Sequence, residues 1–117
     1  MTMVQMVLPM PPSINHYYGS GKNGIRYLKK PAKVFRHEVA VIAHKGSSRG
    51  VFGNARLAMR VDLHFGNGGD LDNRLKGLLD ALEYAEVFEN DRQIDDLRIV
   101  RGHRVVGGRC EVKIWEL

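Results

Sequence analysis

The stretch Gly69-Asp70-Leu71-Asp72-Asn73-Arg74-Leu75-Lys76 carries two carboxylates two positions apart and a lysine four residues after the second. In extended backbone, positions i and i+2 project to the same side, so Asp70 and Asp72 can converge on one cation. Hard oxygen donors of this kind suit Mg²⁺, which keeps several waters and needs only two or three carboxylates. Lys76 can neutralise negative charge that develops on a reacting phosphodiester. A second acidic group, Glu89-Asn90-Asp91-Arg92-Gln93 with Asp95 and Asp96 beyond it, can fold back as a turn and supply a third ligand. Each feature also has a plainer explanation. Asp72 can be a helix N-cap, Asp70 a turn former, Asp72–Lys76 an i,i+4 pair worth ~0.3–0.5 kcal/mol, and the second group a solvated loop. Spacing alone leaves both explanations open.

The elements that must position these residues follow from periodicity. Residues 3–8 form a short apolar run closed by Pro9, Pro11 and Pro12, which predicts a strand. Residues 13–30, with Gly19, Gly21 and Gly24 among basic side chains, predict a mobile basic loop. Pro31 suits the first turn of a helix. Phe35, Val39, Ile42 and Ala43 then recur at helical spacing to about Lys45, where Gly46 ends the element. Over 56–65 the alternation is clean: Leu57, Met59, Val61, Leu63 and Phe65 face one way, and Ala58, Arg60, Asp62 and His64 the other. A second helix is predicted over about 72–85 on the stripe Leu71, Leu75, Leu78, Leu79 and Leu82. Two strands follow over 94–103 and 109–116, joined as a hairpin near Gly107-Gly108. The expected architecture is a single small α/β domain spanning 1–117. Its order is β-α-β-α-β-β, a mixed sheet with two helices packed on one face.

Composition sets the context. The chain has 117 residues and a net charge of +5. That charge is uneven: residues 1–61 sum to +9, residues 62–97 to −7 and residues 98–117 to +3. Basic flanks around an acidic middle fit a protein that grips phosphates and holds a metal, and equally a solvated acidic helix in a basic protein. A single cysteine, Cys110, excludes an intramolecular disulfide framework and a cysteine-rich zinc module. No apolar run approaches the ~18 residues that would cross a bilayer. The N-terminus lacks the basic region of a signal peptide, and the expected setting is a reducing cytoplasm.

Other motifs are weak. Gly19-Ser-Gly21-Lys-Asn-Gly24 matches G-x-G-x-x-G formally, but no strand and helix flank it directly. The five histidines show no metal-ligand spacing. Tyr17 and Tyr18 can stack on bases or pack beneath the basic loop. Cys110, in an alternating strand, is expected in the core.

Three blocks resemble one known family. They are Leu8-Pro-Met-Pro-Pro-Ser-Ile-Asn-His-Tyr17, Asp70 to Lys76 continuing to Leu79-Asp80-Ala-Leu82, and Val87-Phe-Glu-Asn-Asp91-Arg-Gln93 with Asp96 and the strand after it. Their order and spacing are similar to those of the RusA-type Holliday junction resolvases, small endonucleases of bacteria and their phages. The resemblance implies a homodimer of mixed α/β fold in the cytoplasm of a bacterial cell, chromosome- or phage-encoded. It would cut four-way junction DNA by paired symmetric nicks with Mg²⁺, or Mn²⁺ as a substitute. Carried over residue by residue, Asp70, Asp72 and Asp91 resemble the metal-binding triad and Lys76 the essential lysine. Lys22, Arg26, Lys29, Lys30, Lys33, Arg36 and Arg74 are then the expected DNA contacts. Asn90 departs from the pattern, standing where a second acid can precede Asp91. The competing expectations are a non-catalytic DNA-binding module and a nuclease for other branched DNA.

Overall fold

The computed structural model describes residues 2–117. Strand β1 (Met3–Leu8) is followed by a short hairpin, β2 (Tyr18–Ser20) and β3 (Arg26–Leu28), then by helix α1 (Lys30–Lys45). Strand β4 (Leu57–His64), helix α2 (Asp72–Tyr84), strand β5 (Ile94–Arg101) and strand β6 (Arg109–Glu116) complete the chain. The fold is a small α/β arrangement of two helices and a mixed four-stranded sheet in the order β1-β6-β4-β5.

Register explains which side chains reach the core. Val4, Ile114 and Met59 lie in one row across the sheet, Met6, Val112 and Val61 in the next, and Leu8, Cys110 and Leu63 in the third. All nine are buried. They share the core with Phe35, Val39 and Ala43 of α1 and Leu78, Ala81 and Leu82 of α2. Full burial of one such aliphatic side chain is worth about 1.5–3 kcal/mol, so these rows hold the helices to one face. Cys110 belongs to this core, and burial pushes its thiol up to about 12, which leaves it protonated and inert at neutral pH. The opposite face carries Arg60, Asp62, Lys113 and Glu111.

Two expectations are corrected. Residues 13–30 are not a featureless loop: Tyr18 pairs with Leu28 and Ser20 with Arg26 in an antiparallel hairpin. Its origin is local, since Gly24 and Asn23 take positive φ (71° and 66°) at the turn. The second correction concerns β5 and β6, which do not form a hairpin, because β4 lies between them. After the α2 crossover β5 lies parallel to β4. The connection 102–108 then passes the end of β4, with Gly102 N donating to Leu63 O (2.9 Å) and Val105 N to Phe65 O (3.3 Å). It delivers β6 to the other side of β4. Gly107 and Gly108 do turn the chain, both at positive φ (82° and 81°), but into this crossing rather than back onto β5.

No helix among the described residues is long and apolar enough to cross a membrane.

Candidate active site

Asp72 is the first residue of α2, and Lys76 lies one turn further along the same helix face. Leu71 precedes Asp72 in helical conformation (φ −60°, ψ −45°) and no side chain caps the helix. Asp70 and Asp72 are therefore not related by extended backbone, and Asp72 is not an N-cap. Its charge stands in the first turn, where the helix dipole favours an anion. Asp70 lies just outside the helix, and its Oδ2 accepts a 3.4 Å contact from Asn73 Nδ2.

Asp91 is held by a different device. It opens a 3-10 turn, Asp91–Gln93, capped by Asn90, whose Oδ1 accepts from Arg92 N at 2.8 Å. Gln93, buried beneath, accepts from Glu89 N and Asn90 N at 2.9 Å. Its Nε2 donates to Gly53 O (3.0 Å) and Ala55 O (2.8 Å), pinning the turn to the segment before β4. Glu83 of α2 accepts from Asp91 N at 3.0 Å and ties the turn to the helix. The Asn-x-x-Gln pattern is a capping box and was visible in sequence. It also gives Asn90 a role that an Asp could equally fill, so the departure at 90 leaves the turn intact.

These elements enclose a cleft of about 670 Å³ whose walls include Asp72, Lys76, Asp80, Glu83, Asn90 and Asp91. Asp72, Lys76 and Asp91 are exposed to it, and among the described residues none of the three forms an ion pair. The ordinary Asp72–Lys76 pair is thus not made. Asp70, two residues before Asp72, is exposed but is not part of the cleft wall. No three His, Cys, Asp or Glu side chains among the described residues stand close enough to ligate one ion as they are placed. Asp95 is committed elsewhere: Arg56 bonds both its oxygens and holds its carboxyl below the usual range.

The loop 66–69 sets where Asp70 begins. Gly69 has φ +151°, and a Cβ there would lie 2.5 Å from the Phe65 ring, so the loop is pressed onto that ring. Arg101 Nη2 donates to Gly69 O at 2.7 Å and Arg104 Nε to Gly66 O at 2.6 Å. Neither contact was legible in sequence, because both arginines come from the far side of the α2 crossover.

The basic residues divide into free and committed. Lys22, Arg26, Lys30 and Lys33 are exposed on the hairpin and the start of α1, with Arg26 stacked 4.2 Å above the Tyr18 ring. Lys29 donates to Asn15 O at 3.0 Å. Arg36 is spent on Asp80, its Nη2 2.7 Å from Oδ2. The Tyr17 hydroxyl donates to that same oxygen at 2.5 Å. Tyr17 itself is fully buried, so it packs rather than stacks on a ligand. Arg74 donates to Pro11 O at 2.8 Å, and burial lowers its pKa. Two of the seven expected contacts, Arg36 and Arg74, are anchors of the fold.

Residues 9–115 match the family model described as "Endodeoxyribonuclease RusA". The chain is 40% identical to the "Crossover junction endodeoxyribonuclease rusA" of Enterobacteria phage HK97, covering all of this chain and 98% of the relative. It is 33% identical to the protein of that name from Enterobacteria phage 82 and 31% identical to the one from Escherichia coli K12, at the same coverage.

Proposed function

The chain belongs to the RusA family of endodeoxyribonucleases, and from that premise we propose that it resolves four-way DNA junctions by paired symmetric nicks. It acts as a homodimer that requires a divalent cation, Mg²⁺ or in its place Mn²⁺. The whole of 1–117 is the working domain. The observation that carries the reading is the shared cleft: Asp72, Lys76 and Asp91 meet there without ion-pair partners, in a chain of this family.

The donor set fits such an ion. Asp72 and Asp91 present hard carboxylate oxygens to one cleft, with Asp70 beside the helix start, and Mg²⁺ completes its shell with water. When bound, the ion supplies polarisation of the scissile phosphate and a lowered pKa for an attacking water. Asp72 and Asp91 would hold it, and Asp70 would have to close on it from the helix start, since no three such side chains among the described residues stand within reach of one ion as placed. Lys76, on the same cleft wall as Asp72, would stabilise the added negative charge of the transition state. Lys22, Arg26, Lys29, Lys30 and Lys33 would neutralise phosphates of the junction arms, which makes binding steeply salt-dependent. A twofold dimer would match the near-twofold symmetry of a four-way junction and set two sites on opposed strands.

The test is incubation of a labelled synthetic four-way junction with Mg²⁺ or with EDTA, beside three-way, flap and linear duplex substrates. Paired nicks in the junction with Mg²⁺ alone, and spared duplex, are expected. Junction binding without any Mg²⁺-dependent product would replace this reading with a non-catalytic binding module. Equal cutting of linear duplex would end the claim of junction selectivity.

The loop before Asp70 gives a second check. Gly69→Ala strains a backbone at φ +151° and presses a Cβ to 2.5 Å from the Phe65 ring, which should disturb the loop that leads into Asp70. A shift of about 1 Å can cost about 100-fold in rate, so cutting should fall by roughly that factor. Wild-type rates in this variant would show that the placement of Asp70 is not limiting.

A further inference from the structure

A second cleft, about 430 Å³, opens between the glycine loop 66–68 and the end of β5, with Arg101 and Arg104 on its wall. Its two arginines are among those that the fold leaves without a carboxylate partner. Arg36, Arg49, Arg56, Arg60 and Arg109 each face a carboxylate within ion-pair distance. Arg101 and Arg104 face none among the described residues. Each instead spends one N–H on a neutral loop carbonyl, Gly69 O or Gly66 O. A guanidinium carries five N–H donors in a rigid fork, so each keeps most of its donors and its entire charge.

The mounting is rigid. Arg101 is the last residue of β5 and its guanidinium lies 4.8 Å from the centre of the buried Phe65 ring. The facing loop presents little side chain: a Cβ on Gly68 would meet nothing within 4 Å. Two oriented guanidiniums above an open glycine backbone suit a tetrahedral oxyanion. The site adjoins Gly69, the residue before Asp70.

We propose that Arg101 and Arg104 form a seat for a DNA phosphodiester of the same substrate strand, next to the metal carboxylates and separate from the basic hairpin and α1. This rests on the junction-nuclease reading. The seat holds the strand beside the loop that leads into Asp70, while the larger cleft takes it at Asp72 and Asp91. It assigns to substrate binding two arginines that the N-terminal basic cluster does not include. Arg101, through Gly69, also acts as a positioning residue for Asp70.

The experiment measures binding of a four-way junction in EDTA by fluorescence anisotropy, across a range of salt. Each phosphate neutralised contributes about 0.9 to the slope of log K against log salt. Arg104→Gln should make the slope shallower by about that amount and weaken binding about tenfold at low salt. Arg104→Lys should restore the slope, because it restores the charge. Arg49→Gln, which removes an arginine paired with Glu86, should leave the slope unchanged. Methylphosphonate placed at successive linkages should find one position whose neutralisation weakens the wild type but not Arg104→Gln.

A wild-type slope in Arg104→Gln, or an equal loss in Arg49→Gln, would overturn the seat. So would a scan with no linkage coupled to Arg104. Failure of the underlying reading looks different: the wild type would then bind without cutting in Mg²⁺, whatever the slope of Arg104→Gln.

Discussion

Asp91→Asn should abolish junction cutting while the protein still folds and still binds its DNA. The substitution is nearly isosteric and touches only the carboxylate. The backbone N–H of residue 91 keeps its bond to Glu83, and Asn90 and Gln93 keep the 3-10 turn capped. What is lost is one of three carboxylates on that cleft wall, with Asp72 and Glu83, that have no ion-pair partner among the described residues. A hard divalent ion bound there would lose a charged ligand, and the transition state would lose much of its electrostatic support. Removal of a single preorganised stabilising group commonly costs about 100- to 1,000-fold, so the rate should drop by at least about 100-fold. Affinity in EDTA should hold or rise, because one negative charge near the phosphates is gone. Single-turnover cutting and anisotropy on the same preparation separate the two. Cutting within a few-fold of wild type would remove Asp91 from the site.

How far the sequence foretold this site depends on distance along the chain. Period-two alternation placed β4, and the stripe Phe35, Val39, Ala43 placed α1, because each pattern is written within one element. Asp72 and Lys76 share a helix face, and their proximity follows from helical geometry alone. Asp91 reaches them because Glu83 of α2 accepts from its N–H and because Gln93 bonds back to Gly53 and Ala55, some forty residues away. No local rule contains that contact. The β5–β6 pairing failed for the same reason: Gly107-Gly108 is sound turn chemistry, but strand order is set by α2, which lays β5 on one side of β4 and leaves the other side for β6. Asp70 shows the reverse error. Its relation to Asp72 assumed extended backbone, yet Leu71 already has helical angles.

Arg36, expected among the DNA contacts, pairs with Asp80 in the structure, and that pair leads to the largest expected effect on stability. Asp80 Oδ2 accepts from Tyr17 Oη at 2.5 Å and Arg36 Nε at 2.9 Å, which joins α1, α2 and the segment before β2 at one carboxylate oxygen. Tyr17 is fully buried, and its ring lies so close to α2 that a Cβ on Gly77 would stand 2.7 Å away. Burial, and then the bond to Asp80, push its phenol well above the ordinary range, so it is a permanent donor that must have an acceptor. Asp80→Ala removes that acceptor and leaves Arg36 unpaired at a site where both ion-pair partners are only about a quarter exposed, 23% and 25%.

A buried donor left unsatisfied costs about 1–3 kcal/mol, and the stranded guanidinium adds to it. A loss of about 2–4 kcal/mol follows, which at this chain length lowers Tm by roughly 10 °C or more. Tyr17→Phe removes one bond and leaves the ion pair, so it should cost about 1 kcal/mol. In the double variant the Tyr17 change should cost little more, since its partner is already gone. Thermal melts of the four proteins measure this coupling directly. Additive losses, or an Asp80→Ala variant melting within about 2 °C of wild type, would mean that Asp80 does not tie the helices together. Arg36 would then be free to meet DNA after all. The expected result keeps it inside the fold, and the phosphate-binding surface to the lysines and arginines that have no carboxylate of their own.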